Sequence, residues 1–324
     1  MVIQKDEYIY AVARIRCKEN KLLSSKSIEQ MISMNDIRNI ERFLRDNGWG
    51  ASSVEKVSDL LTYEQDNLWM LMKELVGELS PFDFLRIQND FHNLKASIKA
   101  AYCDCSADHL FIAGSVYDPY DIYNLIRNRE YNQLPELIRD TAQEAMNTLL
   151  RTGDGQLCDI IIDKACLACV SSLGKASDSG LIKEYCELFI ASGNIRIAVR
   201  GSQLNKSADF ILESMAQCGT LDIKLLASSV SKGFDELCSY LSSTNYKSSV
   251  PHIKASLSDF EKWCDNYIME LMQSQKAAPF TIGPLVSYII AKQTEIKTVR
   301  LILTSKENML PDGVIRERLR VMYV

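Results

Sequence analysis

The chain has 324 residues, 47% of them hydrophobic, and carries 42 acidic against 37 basic side chains, a net charge of -5. This mild acidity argues against a general affinity for nucleic acid phosphates, and the length exceeds what one hydrophobic core usually organises, so we expect two or three domains. With only 14 Gly and 7 Pro and few alternating β-branched runs, the composition predicts an all-α protein.

The N-terminal stretch MVIQKDEYIYAVARIRCKEN lacks the apolar segment and cleavage site of a signal peptide. We therefore expect a cytoplasmic protein whose ten cysteines are reduced. One C-x-x-C, Cys166 and Cys169, lies in an apolar run; structural zinc would need two further ligands at matching spacing, so core cysteines are the preferred interpretation. Because no run of 18 apolar residues occurs, we predict no direct membrane span, and any membrane attachment would require a partner.

A capped amphipathic helix is predicted between Asp36 and Gly48, because apolar residues recur there at helical spacing and a glycine is placed to end it. A weaker version of the same apolar pattern, DIYNLIRNREY, follows 82 residues later. The pattern also returns at an offset of 197 residues, where Ile37, Ile40, Leu44 and Trp49 correspond to Phe234, Leu237, Leu241 and Tyr246.

A second repeated pattern places an acidic residue, an Asn and a base on one helix. Its copies are NDFHNLKASIKA (89–100), SGNIRIAVRG (192–201) and TEIKTVRLIL (294–303). The second copy has Ala191 at the acidic position, and in the third copy Lys297 is an alternative to Arg300 as the base. The pattern positions are Asp90, Asn93 and Lys95, then Asn194 and Arg196, then Glu295, Thr298 and Arg300.

Roughly thirty residues before each copy, an Asp followed by Asn or Lys lies on a helical run. We predict that each Asp forms a structural pair with the base of its own part of the chain. The predicted pairs are Asp66 with Lys95, Asp163 with Arg196, and Asp265 with Arg300. If such pairs are partly buried, removing one partner would cost about 3–5 kcal/mol; if they are solvated, little would change.

Three copies of a helical unit whose apolar face needs a neighbour predict three similar helical domains, either stacked or arranged around a pseudo-threefold axis. The predicted boundaries are 1–115, 116–219 and 220–324, with a basic helix at the end of the third domain. From Ala291 onward the chain carries seven basic against four acidic residues. We expect this segment, including Arg316 and Arg320, to dock to an anionic membrane surface or a membrane-bound partner.

Patterns that would indicate catalysis or ligand binding are weak. The three histidines lie far apart, and GSQLNKS lacks the second Gly of a phosphate-binding loop. RTGDGQ is most simply a turn between helices. Asp159 and Asp163 share a helical face, but the Glu-x-x-His of a di-metal bundle is missing, so helix-surface charge is preferred. We therefore predict no catalytic residue, no cofactor and no metal.

YAVARIRCKENKLLS, the three repeated helices, AKQTEIKTVRLILTSKEN and VIRERLRVMYV resemble the central-stalk C-type component of V/A-type rotary ATPases, known in eukaryotes as the d component. The resemblance covers essentially the whole chain. It implies an all-α, non-catalytic protein whose three related domains form a pseudo-threefold funnel. Such a socket joins the rotor shaft subunits to the membrane rotor ring that carries protons or sodium ions. It would be cytoplasmic and peripherally attached to the membrane through that ring.

The residues that match the family pattern lie at both ends of the chain: Tyr10, Arg14 and Arg16, then Tyr288, Lys292, Glu295, Arg300, Arg316, Leu319 and Tyr323. The altered second copy of the repeat weakens any transfer of roles there. A generic helical-repeat scaffold or adaptor in the cytosol stays an alternative. Co-purification with a membrane ring and a coiled-coil shaft would favour the rotor socket.

Overall fold

The computed structural model describes residues 5–51 and 57–324; the first four residues of the N-terminal stretch quoted above lie outside this part. The described residues form helices and contain no strand, so the all-α prediction is confirmed. Sixteen α-helices are present in these ranges. They are α1 (Lys5–Glu19), α2 (Ser25–Ser33), α3 (Ile37–Asp46), α4 (Val57–Val76), α5 (Asp83–Tyr102), α6 (Pro119–Arg127), α7 (Glu136–Thr152), α8 (Gly155–Ala176), α9 (Gly180–Gln203), α10 (Ala208–Ser214), α11 (Ile223–Ser231), α12 (Phe234–Ser242), α13 (Val250–Ala255), α14 (Leu257–Ser274), α15 (Gly283–Glu307) and α16 (Asp312–Arg318).

The chain divides into two compact units. Unit one consists of Met1–Ser80 and Ser258–Val324, so it is built from both ends of the sequence, whereas unit two is the continuous stretch Pro81–Leu257. The three-domain boundaries and the pseudo-threefold funnel stay predictions. Within the described ranges, no helix is both long enough and apolar enough to cross a membrane.

Unit one has a hydrophobic core to which both ends of the sequence contribute. Residues of α2 and α3, among them Ile32 and Ile40, pack in one cluster with residues of α15 and the C-terminal tail, among them Val299 and Met322. α3 begins as predicted, because Asp36 accepts a hydrogen bond from the Arg38 N–H at 2.9 Å. It ends before Gly48, whose φ of +84° is one that glycine adopts without strain.

In unit two, α8 packs against α5, α7 and α9. α8 and α9 approach so closely that a Cβ on Gly174 would lie 2.6 Å from Cys186 Cβ. RTGDGQ is a turn between α7 and α8, as predicted. Cys166 and Cys169 are buried on α8, and burial raises the pKa of their thiols to about 12 and about 11. Both are therefore neutral core residues at physiological pH.

The repeated sequence patterns correspond to repeated structure. α12 begins at Phe234, 197 residues after the start of α3 at Ile37, which is the offset of the sequence repeat. The equivalent apolar side chains are buried in both copies, since Ile40 and Leu237 are fully inaccessible. Trp49 and Tyr246 are equivalent and also buried.

The helices that carry the acid, Asn and base pattern, α5, α9 and α15, end in the same turn. In each turn one residue has a left-handed backbone, and the next N–H donates to a carbonyl five residues before it. The left-handed residues are Asp104, Asn205 and Met309, with φ of 49°, 49° and 54°. The turns align Thr298 with Asn93 and Asn194, so Arg300 rather than Lys297 occupies the base position of the third copy.

Candidate functional site

The repeated Asn residues hold backbone of the segment that follows their helix. Asn93 donates to the Ile112 carbonyl at 2.9 Å and accepts from the Ile112 N–H at 2.8 Å. Asn194 makes the same two bonds to Ala216, at 2.8 and 3.1 Å. A side-chain amide satisfies both groups of one peptide residue, which explains why Asn is needed at these positions.

We expect Asn194→Ala to lower the free energy of unfolding by about 2–3 kcal/mol, because it leaves the buried N–H and carbonyl of Ala216 without partners. Urea unfolding followed by far-UV circular dichroism measures this change. Asn147→Ala, an exposed replacement on α7, is the matched control. Equal stability of the two variants would contradict a role for Asn194 in holding this segment.

The acidic position has a related role in the first copy. Asp90 accepts hydrogen bonds from the Val116 and Tyr117 N–H groups at 2.8 and 2.9 Å. Burial raises the pKa of Asp90 to about 6, and the two N–H bonds oppose that rise. In the second copy, which has Ala191 here, Glu187 one turn earlier accepts from the Thr220 N–H at 2.7 Å.

In the third copy the acid binds the other end of the sequence. Glu295 is completely buried and accepts a hydrogen bond from the Leu23 N–H, just before α2. The corresponding helices α5 and α9 bind the segments that follow them in sequence. The last repeated helix thus makes with the N-terminal region the bond that the first two helices make with the next region along the chain.

Glu295 belongs to a buried charge group, which we define as Glu64, Lys292 and Glu295. Lys292 Nζ lies 2.7 Å from Glu64 Oε2 and 2.7 Å from Glu295 Oε1, and also 4.2 Å from the centre of the Trp49 ring. Glu64 accepts a further hydrogen bond from the Gly50 N–H at 2.9 Å. Burial raises the pKa of Glu295, and the Lys292 cation opposes this.

The C-terminal tail after α16 is held inside unit one. Tyr323 is 2% exposed, and its hydroxyl donates to Glu19 at 3.0 Å, while Arg16 pairs with the same carboxylate at 2.6 Å. Lys276 donates to the Tyr323 carbonyl at 3.0 Å and lies 4.4 Å from the centre of its ring. Burial, together with the Glu19 carboxylate, raises the pKa of Tyr323, so the hydroxyl stays a hydrogen-bond donor.

A cleft of about 390 Å³ opens beside the charge group in unit one. It is lined by side chains from α1, α4 and α15 and from the segment after α3. Most of its lining is polar or charged, including Lys18, Glu64 and Lys292. Because both ends of the sequence form its walls, the cleft exists only when unit one is assembled.

The predicted Asp–base pairs are wrong in their partners. Asp163 pairs with Lys95 at 2.6 Å rather than with Arg196, because α5 and α8 lie side by side in unit two. Asp265 pairs with Arg320 at 3.0 Å rather than with Arg300. Over the described part of the chain, Asp66, Arg196 and Arg300 form no ion pair. The bases that pair come from neighbouring elements that sequence spacing does not identify.

The predicted basic helix is shorter than its segment. α16 ends at Arg318, so Arg320 lies in the non-helical tail. Arg316 pairs with Glu29 at 3.0 Å, and Arg320 pairs with Asp265, so intramolecular acids already neutralise part of the positive charge. Docking of this segment to a ring or to anionic lipid stays a prediction.

Sequence reasoning missed Glu64, Glu19 and the role of Trp49. A usable signal was present in α15, where Lys292 and Glu295 interrupt a strongly apolar run three residues apart. Charges in such a run are expected to be paired when the helix is buried. The third member, Glu64, lies far away in sequence and has no comparable signal.

Comparison with known proteins agrees with this architecture. The chain matches the ATP synthase (C/AC39) subunit family over residues 11–318. It is 25% identical over 317 residues to the C-type component of the V-type sodium ATPase of Enterococcus hirae, covering 95% of this chain and 97% of that protein. The C-type components of the A-type ATP synthases of Methanocaldococcus jannaschii (22% over 345 residues, covering 97% and 86%) and Methanosarcina mazei (25% over 346 residues, covering 97% and 93%) are also similar. The protein therefore belongs to the ATP synthase (C/AC39) subunit family.

Proposed function

We propose that the protein is the central-stalk connector of a V/A-type rotary ATPase, a socket that couples the rotor shaft to the membrane rotor ring. The observation that carries this proposal is the family match over residues 11–318, which includes unit two and most of both parts of unit one. The similar proteins named above are C-type components of a V-type sodium ATPase and of A-type ATP synthases. In this role the chain has no turnover of its own, and the ring carries protons or sodium ions.

A connector must transmit torque without deforming, and unit one has features suited to this. Its two sequence parts are joined by a shared hydrophobic core, by the buried charge group and by the Tyr323–Glu19 hydrogen bond. Close-packed interiors deform little, and buried polar networks fix one arrangement of the elements they join. These contacts would keep the two parts of unit one together under load.

The proposal also assigns partners and place. The shaft subunits bind one surface of the connector and the membrane ring binds another, because a coiled-coil shaft and a ring of many identical subunits do not share symmetry. The protein is then cytoplasmic and attached to the membrane through the ring. No nucleic acid and no cofactor take part.

Reconstitution of the ATPase with and without this chain tests the function. Without it, we expect the catalytic head to continue hydrolysing ATP while ion transport falls to background, because rotation no longer reaches the ring. Adding the purified chain should restore transport. ATP hydrolysis by the isolated chain, or transport in its absence, would contradict the proposal, and a pull-down that recovers unrelated cytosolic proteins instead of shaft and ring would favour an adaptor.

A further inference from the structure

The cleft in unit one has an excess of positive charge although the whole chain is acidic. Two of its cations are paired with acids of the same cleft: Arg14 with Glu74 at 3.3 Å, and Lys292 with Glu64 at 2.7 Å. The other two cations of its lining, the half-buried Lys18 and the exposed Lys21, have no acidic partner among the residues that the structure describes. The cleft therefore presents two uncompensated positive charges.

The same cleft contains a buried hydrogen-bond donor without an acceptor. Trp49 is 3% exposed and lines the cleft, and within the described residues its indole N–H has no hydrogen-bond partner. Lys292 lies over the face of this ring, so the ring is held in place while its N–H stays unused. A buried donor without an acceptor is unfavourable, and an incoming acceptor would relieve this cost.

The edge of the cleft is apolar. Met70 is one of its lining residues and is 59% exposed, and Tyr10, one helical turn before Arg14 on α1, is 60% exposed. Exposed large apolar residues next to unpaired cations fit a partner surface that combines apolar side chains with carboxylates. An amphipathic helix carrying an acidic residue has both.

We propose that this cleft receives a carboxylate side chain from an acidic, amphipathic helical segment of the rotor shaft. The carboxylate binds between Lys18 and Lys21 and accepts a hydrogen bond from Trp49, while apolar residues of the same helix cover Met70. This site rests on the proposed function for the identity of the partner. A volume of about 390 Å³ accommodates the side chains of about one helical turn rather than a whole helix.

Binding of the purified full chain to the purified shaft subunits tests the site. We expect the double variant Lys18→Glu/Lys21→Glu to weaken binding by on the order of 10- to 100-fold at low salt, and by less at high salt, because charge pairs at an interface are screened by ions. The matched control is Lys224→Glu/Lys232→Glu, which makes the same charge change at exposed positions of unit two. The control should bind the shaft as the unchanged chain does.

A second variant tests the buried donor. Trp49→Phe keeps an aromatic ring against Lys292 but removes the N–H, and we expect binding to weaken by about tenfold while the melting temperature changes little. Replacing acidic residues of the shaft segment with Lys should restore binding to the Lys18→Glu/Lys21→Glu chain.

The two possible failures are distinguishable. If the shaft does not bind the unchanged chain, the proposed function is wrong, and this site falls with it. If the shaft binds the unchanged chain and both cleft variants equally well, the proposed function stands, but the carboxylate site is overturned.

Discussion

Replacing Lys292 with methionine should lower the free energy of unfolding of unit one by about 3–5 kcal/mol at neutral pH. Methionine fills a similar volume but leaves two carboxylates in the interior without their shared cation. Glu295 is completely buried, and the Glu64 side chain is 9% exposed. An uncompensated buried charge is far more costly than the loss of a surface ion pair.

The loss caused by Lys292→Met should also depend on pH. Burial already raises the pKa of Glu295 above 4.5, so at pH values between the unfolded and folded pKa the folded state holds a proton that the unfolded state has lost. Stability therefore falls as pH rises through this window. Without Lys292 the folded pKa of Glu295 rises further, so the deficit of the variant should be largest at neutral pH and should shrink toward pH 5.

Tryptophan fluorescence during urea unfolding provides the measurement, because all three tryptophans, Trp49, Trp69 and Trp263, belong to unit one. Lys99→Met is the matched control, since it removes the cation of the Lys99–Asp159 pair, whose side chains are 44% and 34% exposed. That change should cost less than about 1 kcal/mol. A Lys292→Met protein as stable as this control would show that the buried charges of unit one are solvated.

Tyr323→Ala is expected to destabilise unit one by about 3–5 kcal/mol, the usual cost of truncating a buried aromatic side chain. The variant leaves a cavity and removes the hydroxyl that donates to Glu19. It also removes the ring beneath Lys276. The C-terminal tail, held partly through this residue, should then exchange its backbone amide hydrogens faster.

Hydrogen exchange of the peptide that contains the tail, together with urea unfolding, tests this expectation. Tyr323→Phe keeps the ring and removes only the hydroxyl, so it should cost about 1–2 kcal/mol. Tyr102→Ala, at a position that is 44% exposed, is the matched control and should cost less than either. If Tyr323→Ala leaves tail exchange unchanged, the tail is not anchored by this side chain.

The regular features of the fold were predictable from the sequence because they depend on local chemistry and on repetition. The start of α3 at Asp36 and its end at Gly48 follow from capping rules. The equivalence of α3 and α12 follows from one sequence offset. The Asn residues of the repeat were found as a pattern, but their function in holding the backbone of Ile112 and Ala216 was not.

The partners of charged residues were not predictable, because ion pairing depends on which helices become neighbours. Spacing placed Asp163 with Arg196, whereas the packing of α5 on α8 brings Lys95 to it. The buried charge group was missed for the same reason. Glu64 and Lys292 meet only because unit one is built from both ends of the sequence.

The division of unit one between both ends of the sequence has a consequence for synthesis on the ribosome. Leu23 lies 272 residues before Glu295, the carboxylate that its N–H binds. At roughly 5–20 residues per second, the ribosome needs roughly 15–50 s to make the intervening chain, long enough for the continuous unit two to fold first. During that interval the apolar faces of α2 and α3 have no α15 to cover them. Chaperones that bind exposed apolar segments would therefore be expected to act on the N-terminal helices of this nascent chain.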